Sequence, residues 1–150
     1  NYARTLTTNY DLASRKWDVA ADGQTLKHRY DNAGRLNQMQ DSLLNALGSN
    51  VGTIGYTYNP AGSRETVTAY SLGTSWAPTY TYDNGERLDT ITSGATTLAD
   101  YGYDPLSRVG TLAYFDGTST TYGYENDDDL QSLTPTPKMG SPHSPIRFEQ

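Results

Sequence analysis

The sequence predicts an all-β fold in which tandem antiparallel β-hairpins form a curved sheet or partial shell, similar to a β-solenoid. Three observations support this class. A short Tyr-Asp motif recurs, alternating Thr and Tyr flank it, and turn residues separate the copies. We expect the hairpin array to occupy residues 1–130, and the proline-rich residues 131–150 to be a tail, a linker or a non-native junction.

The composition favours thin sheets over a thick apolar interior. Only 35% of residues are hydrophobic, and there are 13 Tyr but 2 Phe. Each Tyr hydroxyl needs water or a hydrogen-bond partner. The formal charge of −6 excludes the basic surface that is typical of nucleic-acid-binding proteins. No apolar run is long enough to predict a membrane span, and the lack of Cys excludes disulfides and thiolate metal sites.

The repeat is anchored on a tyrosine that is followed by Asp, Asn or Glu. Its six anchors are spaced 20, 28, 24, 21 and 21 residues apart, at Tyr10, Tyr30, Tyr58, Tyr82, Tyr103 and Tyr124. Four copies combine Asp after the anchor with Arg five residues after it, as Asp11/Arg15, Asp31/Arg35, Asp83/Arg87 and Asp104/Arg108. Recurrence at this spacing indicates a repeated structural unit.

Each part of the motif has a local structural role. The Asp or Asn is expected to accept backbone N–H groups and to begin a turn. Gly34, Gly62 and Gly85 are predicted to supply positive φ in three of these turns. A second turn signal lies between most anchors, as at Asp22-Gly23. Two strands and two turns per copy predict about twelve short strands.

The segment of residues 37–55 has two interpretations. Leu43, Leu44 and Leu47 are spaced at helical intervals, which favours a short helix. The segment also lies between two anchors, which favours an extended hairpin, and for this reason we prefer the hairpin.

Residues able to perform catalysis or to bind a metal match no known motif. The acidic run of residues 125–129 offers oxygen ligands for Ca²⁺, but it lacks a spaced loop pattern and falls where a repeat turn is expected. His28 and His143 have no convergent partners. The repeated aspartates could form a glycosidase pair, but their recurrence at a turn position favours capping. We therefore assign no catalytic, cofactor or metal residues.

Aromatic side chains supply the remaining candidate binding surface. The rings that could stack on sugars or cover a partner's apolar surface are Trp17, Trp76, Tyr56, Tyr80, Tyr101 and Tyr122. Each of the four tyrosines lies two residues before an anchor, so both rings share one strand face. The alternative is that these tyrosine rows pack neighbouring hairpins against each other.

The Tyr-Asp, Gly, Arg-Leu pattern resembles the YD repeat of RHS proteins, which is also found in the large subunits of bacterial Tc toxins and in animal teneurins. The resemblance covers about residues 9–130. It implies a ribbon of β-hairpins that spirals into a hollow shell, which encloses a toxic polypeptide in the toxins. The copy at Tyr124 departs from the pattern, because Glu125 replaces Asp and Asp129 replaces Arg.

Three functions are compatible with these features. The first is a non-catalytic shell or scaffold fragment from a secreted bacterial toxin or surface protein, cut from a longer chain. Its open strand edges would pair with missing parent repeats or with a second copy in a homo-oligomer, and the shell would enclose a polypeptide. The second is a glycan- or cell-surface-binding module that uses the aromatic rows. The third is a small hydrolase built on a repeat fragment.

Overall fold

The computed structural model describes residues 5–48 and 51–138, which form thirteen β-strands and one short helix. The first strands are β1 (Leu6–Tyr10), β2 (Lys16–Ala21), β3 (Gln24–Tyr30), β4 (Leu36–Asp41), β5 (Thr53–Tyr58), β6 (Arg64–Ser71) and β7 (Thr74–Trp76). The others are β8 (Thr79–Tyr82), β9 (Leu88–Ser93), β10 (Thr96–Tyr103), β11 (Val109–Tyr114), β12 (Ser119–Tyr124) and β13 (Leu130–Thr136). The predicted all-β class with tandem antiparallel hairpins is confirmed.

The chain divides into two compact units, Asn1–Thr79 and Tyr80–Gln150. In the first unit, β1 to β6 pair in chain order and β7 pairs with β6, all antiparallel. In the second unit, β8 to β13 also follow chain order. Each unit is therefore a meander in which a strand pairs with the strands before and after it in sequence.

All six anchor turns have the same backbone hydrogen bonds. In the first turn, the N–H of Asp11 donates to the carbonyl of Arg15 and the N–H of Ser14 donates to the carbonyl of Asp11, at 2.8 and 3.0 Å. Both bonds recur in the turns that begin at Asp31, Asn59, Asp83, Asp104 and Glu125. Each turn is a three-residue hairpin loop, and the strand register shifts beside the anchors Tyr10, Tyr30, Tyr58, Tyr103 and Tyr124. The six anchors thus occupy equivalent backbone environments.

The residue four positions after each anchor is in the left-handed region. Its φ is +81° at Gly34, +97° at Gly62 and +59° at Glu86. The prediction for Gly85 was wrong, because Glu86 takes the positive φ in that turn. The loop length fixes which position is left-handed, and in this copy the glycine falls one residue too early. The other members of the column, with φ of +60°, +65° and +70°, are Ser14, Ser107 and Asp128.

Residues 37–55 contain both the hairpin and a helical turn. β4 and β5 pair antiparallel, with Gln38 opposite Gly55. One turn of helix, α1 (Ser42–Asn45), follows β4 at the tip. The Asp41 carboxylate caps α1, because it accepts the N–H groups of Leu43 and Leu44 at 2.8 and 3.2 Å. Among the described residues, no helix has the length and apolar character needed to cross a bilayer.

The structure moves the predicted boundary between the array and the tail. β13 extends to Thr136 and pairs with β12, so residues 131–136 belong to the sheet. Pro135 lies opposite Thr120 in this pairing. Proline is tolerated there because β13 pairs with no other strand of the described chain, and an edge strand does not need every N–H. The remainder of the predicted tail from residue 139 on, which includes His143, lies outside the described residues.

Very few side chains are buried. In the described ranges, only Val51, Thr53, Pro78 and Leu112 are buried, and all other residues are half-buried or exposed. This burial is too small to supply a conventional hydrophobic core. Contacts between neighbouring hairpins therefore carry much of the cohesion of each unit.

A matched pair of glycine substitutions tests the turn assignment. Gly34→Ala should lower the free energy of unfolding by roughly 1 kcal/mol, because it places a Cβ on a residue held in the left-handed region. Gly85→Ala should cost much less, since Gly85 lacks positive φ and Ala33 occupies the same place in another turn. Urea unfolding followed by circular dichroism measures both. Equal losses in the two variants would contradict the assignment.

Candidate functional site: the Asp–Arg–Tyr clamp

Each complete turn is organised by its aspartate. Oδ1 of Asp83 accepts the backbone N–H groups of Gly85 and Arg87 at 2.8 and 3.0 Å, and Oδ2 accepts the Nε–H of Arg87 at 2.7 Å. A short carboxylate can reach N–H groups two and four residues ahead and still offer its second oxygen to a guanidinium. The same three bonds form in the turns of Asp11/Arg15, Asp31/Arg35 and Asp104/Arg108.

The arginine of one turn also contacts the anchor tyrosine of the next. The guanidinium carbon of Arg87 lies 4.3 Å from the ring centroid of Tyr103. The hydroxyl of Tyr103 donates back to the carbonyl of Leu88, at 2.8 Å. We call this set of Asp, Arg, the next anchor Tyr and the accepting carbonyl the clamp. It ties a hairpin whose turn carries the arginine to the hairpin that follows it.

The clamp occurs four times in the described residues. The other three guanidinium-to-ring distances, of 4.4, 4.5 and 4.4 Å, are those of Arg15–Tyr30, Arg35–Tyr58 and Arg108–Tyr124. The hydroxyls of these tyrosines donate, at 2.8, 2.6 and 2.9 Å, to the carbonyls of Lys16, Leu36 and Val109. Each accepting carbonyl belongs to the residue directly after the arginine, so the geometry repeats with the sequence.

The clamp holds its aspartates in the ionised form. The side-chain hydrogen bond from Arg87, followed by the backbone N–H of the same residue, lowers the pKa of Asp83. Hydrogen bonds from the paired arginine similarly lower the pKa of Asp11 and of Asp31. At Asp104, burial acts to raise the pKa, but the hydrogen bonds from Arg108 outweigh it and the pKa is lowered. Such carboxylates are poorly suited to proton transfer near neutral pH.

The third copy lacks an arginine at the clamp position. Oδ1 of Asn59 accepts the N–H of Ser63 at 2.9 Å, so the amide replaces the carboxylate in shaping the turn. Arg64, one residue later, lies 5.0 Å from the ring centroid of Tyr56 in the same hairpin. The contact between Arg and Tyr is thus made within one copy here.

The acidic run of residues 125–129 forms the sixth turn. Arg108 donates from Nη1 to the carbonyl of Glu125 at 3.3 Å and to Oδ1 of Asp128 at 2.6 Å. A cation of the preceding turn therefore binds this acidic loop. Across residues 5–48 and 51–138, His, Asp and Glu side chains form no group of three or more that could hold a metal ion.

The predicted binding aromatics of the first unit lie apart. Trp17 in β2 is 48% exposed and Trp76 in β7 is 55% exposed, and four strands separate β2 from β7 in the pairing order. Tyr56 is half-buried beside Arg64. The structure does not bring the two indoles together on adjacent strands.

The predicted aromatics of the second unit are half-buried. Tyr101 lies opposite Leu112, and Leu112 lies opposite Thr120, which is two residues before Tyr122. Tyr101 and Tyr122 therefore share one face of β10–β12, and they flank a buried leucine. Tyr80 in β8 is also half-buried. Two of these three rings, Tyr101 and Tyr122, thus lie on the same sheet face as the buried Leu112.

The sequence predicts neither the contact of each clamp arginine with the next tyrosine nor the buried position of the His28 Nδ1 atom. The motif places an arginine and a tyrosine in every complete copy, but it does not show that the arginine contacts the tyrosine of the next copy. His28 lies opposite Met39, and its buried Nδ1 has no hydrogen-bond partner. No sequence signal distinguishes that histidine from other half-buried strand residues.

Solved structures similar to this chain are Tc toxin complexes. The crystal structure of TcdB2-TccC3-TEV matches with a TM-score of 0.70 and 23% identity, over 87% of this chain and 7% of that chain. TcdB2-TccC3 without its hypervariable C-terminal region matches with a TM-score of 0.70 and 22% identity, over the same 87% and 7%. The chain has the fold of a YD-repeat fragment.

The low sequence identity and the small share of the toxin chains that is covered mean that these matches show only the fold. TcdB2-TccC3-Cdc42 also matches, with a TM-score of 0.68 and 21% identity, over 87% of this chain and 7% of that chain. The chain thus spans a small part of the toxin chains that it matches. No protein-family model matches the sequence, and the comparison with curated proteins gives no match.

The clamp predicts a loss of stability in acid. The folded-state pKa of Asp83 is lowered from 3.8, so the stabilisation by this group is complete above that value and is lost as the pH falls through 3.8 towards the folded pKa. Asp83→Asn should weaken this acid dependence, because an amide accepts the turn N–H groups, as Asn59 does, without titrating. Urea unfolding across the acid range measures it. The same acid dependence in variant and parent would refute the assignment.

The hydroxyl of the clamp tyrosine makes a separate contribution to stability. Tyr103→Phe should destabilise the chain by about 1 kcal/mol, because the Leu88 carbonyl loses its donor while the ring stays under Arg87. Tyr101→Phe is the control, since its hydroxyl has no hydrogen-bond partner in the described chain. The midpoints of thermal unfolding compare the two variants. A larger loss for Tyr101→Phe would rule out this role of the clamp hydroxyl.

Proposed function

We propose that the chain is a wall segment of a YD-repeat shell, with a containment or scaffolding role and no catalysis of its own. The observation that carries this proposal is the clamp, which ties each complete turn to the next anchor. A linear series of equivalent junctions suits an extended wall, in which each repeat is stabilised by its neighbours.

The chemistry of the aspartates supports a structural role over the hydrolase alternative. The four clamp carboxylates are hydrogen-bonded to backbone N–H groups and paired with arginine. Their lowered pKa favours the ionised form, whereas a general acid near neutral pH needs a raised pKa. The carboxylates also occupy equivalent positions, while a catalytic pair requires two different environments.

The matched toxin chains support a place in a larger assembly. The chain spans 7% of each, which favours pairing with further repeats of a parent protein. By this resemblance we assign an enclosed polypeptide as the cargo, and a secreted or cell-surface location in a bacterium. The glycan-binding alternative has less support, because Trp17 and Trp76 lie on separated strands.

The proposal is tested by adding a repeat. A second copy of residues 82–102 inserted between Gly102 and Tyr103 continues the motif in register, because these residues span one full spacing of 21. A wall of equivalent repeats should accept this copy, gain strand signal in circular dichroism, and melt no lower than the parent. Every clamp partner is kept, since Arg87 would meet the copied Tyr82 and the copied Arg87 would meet Tyr103.

The matched control inserts the same residues in scrambled order at the same place. It should lower the melting midpoint, because its composition is the same but its clamp is absent. If the in-register copy destabilises the chain as much as the scrambled one, the array is not a modular wall. A glycan array run on the parent chain tests the binding alternative, and binding lost in Trp17→Ala or Trp76→Ala would favour it.

A further inference from the structure

The outer edge of β1 presents half of a clamp. In the described chain β1 pairs only with β2, and the anchor Tyr10 on this strand is 60% exposed. The next two anchors, Tyr30 and Tyr58, are each covered by an arginine and bonded to a carbonyl of the preceding hairpin. Leu6 of β1 is also 68% exposed. This edge offers a ring, a hydroxyl and a row of backbone groups to a further strand.

The outer edge of β13 offers the carbonyl of a clamp but not the arginine. β13 begins at Leu130, which stands at the repeat position of Leu88 and Val109, whose carbonyls accept tyrosine hydroxyls. The residue before it is the exposed Asp129, where four other copies have arginine. The face of an aromatic ring carries negative potential and attracts cations, so a carboxylate at this position repels a ring. Pro135 also removes one donor from this strand.

We infer that residue 129 determines which partners the strand edges accept. The β1 edge fits a β-hairpin of a further YD repeat whose turn carries Asp-x-x-x-Arg, because that turn supplies the guanidinium and the carbonyl that Tyr10 lacks. The β13 edge of a second copy supplies the carbonyl but brings a carboxylate to the ring. Asp129 therefore ends the series of clamps and prevents head-to-tail addition of copies of this chain.

This inference rests on the proposed function, because it extends the junctions of the wall to its open edge. It is supported by continuity with the four clamps inside the chain. Each of them joins an arginine turn to the tyrosine of the next hairpin in the same direction, so the same rule decides which hairpin can precede β1. The occupant of the β1 edge is thus a repeat of the parent protein and not a second copy.

The test restores the motif in the sixth turn. The double variant Glu125→Asp/Asp129→Arg gives this turn the same pattern as the complete copies, so it should fold like the parent in circular dichroism. In sedimentation equilibrium the parent should remain near the 16.5 kDa of one chain at all concentrations. The weight-average mass of the variant should rise with concentration, because its new guanidinium can cover Tyr10 of another copy. Adding Tyr10→Ala should return the mass to that of the monomer.

The matched control is Glu125→Asp/Asp127→Arg, which makes the same change of charge two positions earlier. It should stay monomeric. A variant of Asp129 that stays monomeric, a control that associates equally, or a parent that already associates through Tyr10 would overturn the inference. The proposed function is judged separately by the inserted repeat. If the chain accepts the inserted repeat but the Asp129 variant stays monomeric, the proposed function stands. Only the inference about residue 129 and the strand edges is then wrong.

Discussion

The contact between a guanidinium and the next anchor ring is the interaction on which this structure depends. With few buried side chains, the hairpins need specific contacts with their neighbours. Arg87 can bind the Asp83 carboxylate through N–H groups in its plane and cover the Tyr103 ring with its face. Lysine has one compact ammonium and cannot form both contacts with the same geometry. The chemistry of the clamp therefore requires arginine.

Tyrosine is required for a related reason. The ring gives the cation a face, and the hydroxyl reaches the carbonyl that follows the arginine, as Tyr124 reaches Val109. The register shifts beside the anchor at Gly102/Tyr103 and Gly123/Tyr124, where one strand carries an extra residue. A side-chain donor is useful at such a place, because an irregular ladder satisfies its carbonyls less regularly than a straight one.

The sequence was sufficient for the fold class and the turns, but not for the contacts between copies. The Tyr-Asp spacing gave the hairpins, because each turn is local. The prediction of a positive φ at Gly85 was wrong, because the presence of a glycine does not show which loop position is left-handed. The loop length places the positive φ at Glu86. The sequence did not predict β13, because its prolines are typical of a linker, although an edge strand tolerates Pro135. The clamp joins residues 15 to 23 positions apart, such as Arg15–Tyr30 and Arg35–Tyr58, and only the pairing of strands shows which ring an arginine reaches.

Two anchor turns depart from the motif at the position of the arginine. Ser63 replaces the arginine in the last anchor turn of the first unit, which ends at Thr79, and Asp129 replaces it in the last anchor turn of the second. Within each unit, every earlier anchor turn carries the arginine and clamps the next anchor. An arginine is thus present where a further anchor follows in the same unit. The turns at Asn59 and Glu125 keep the two backbone hydrogen bonds of the others, so the turn itself forms without the clamp.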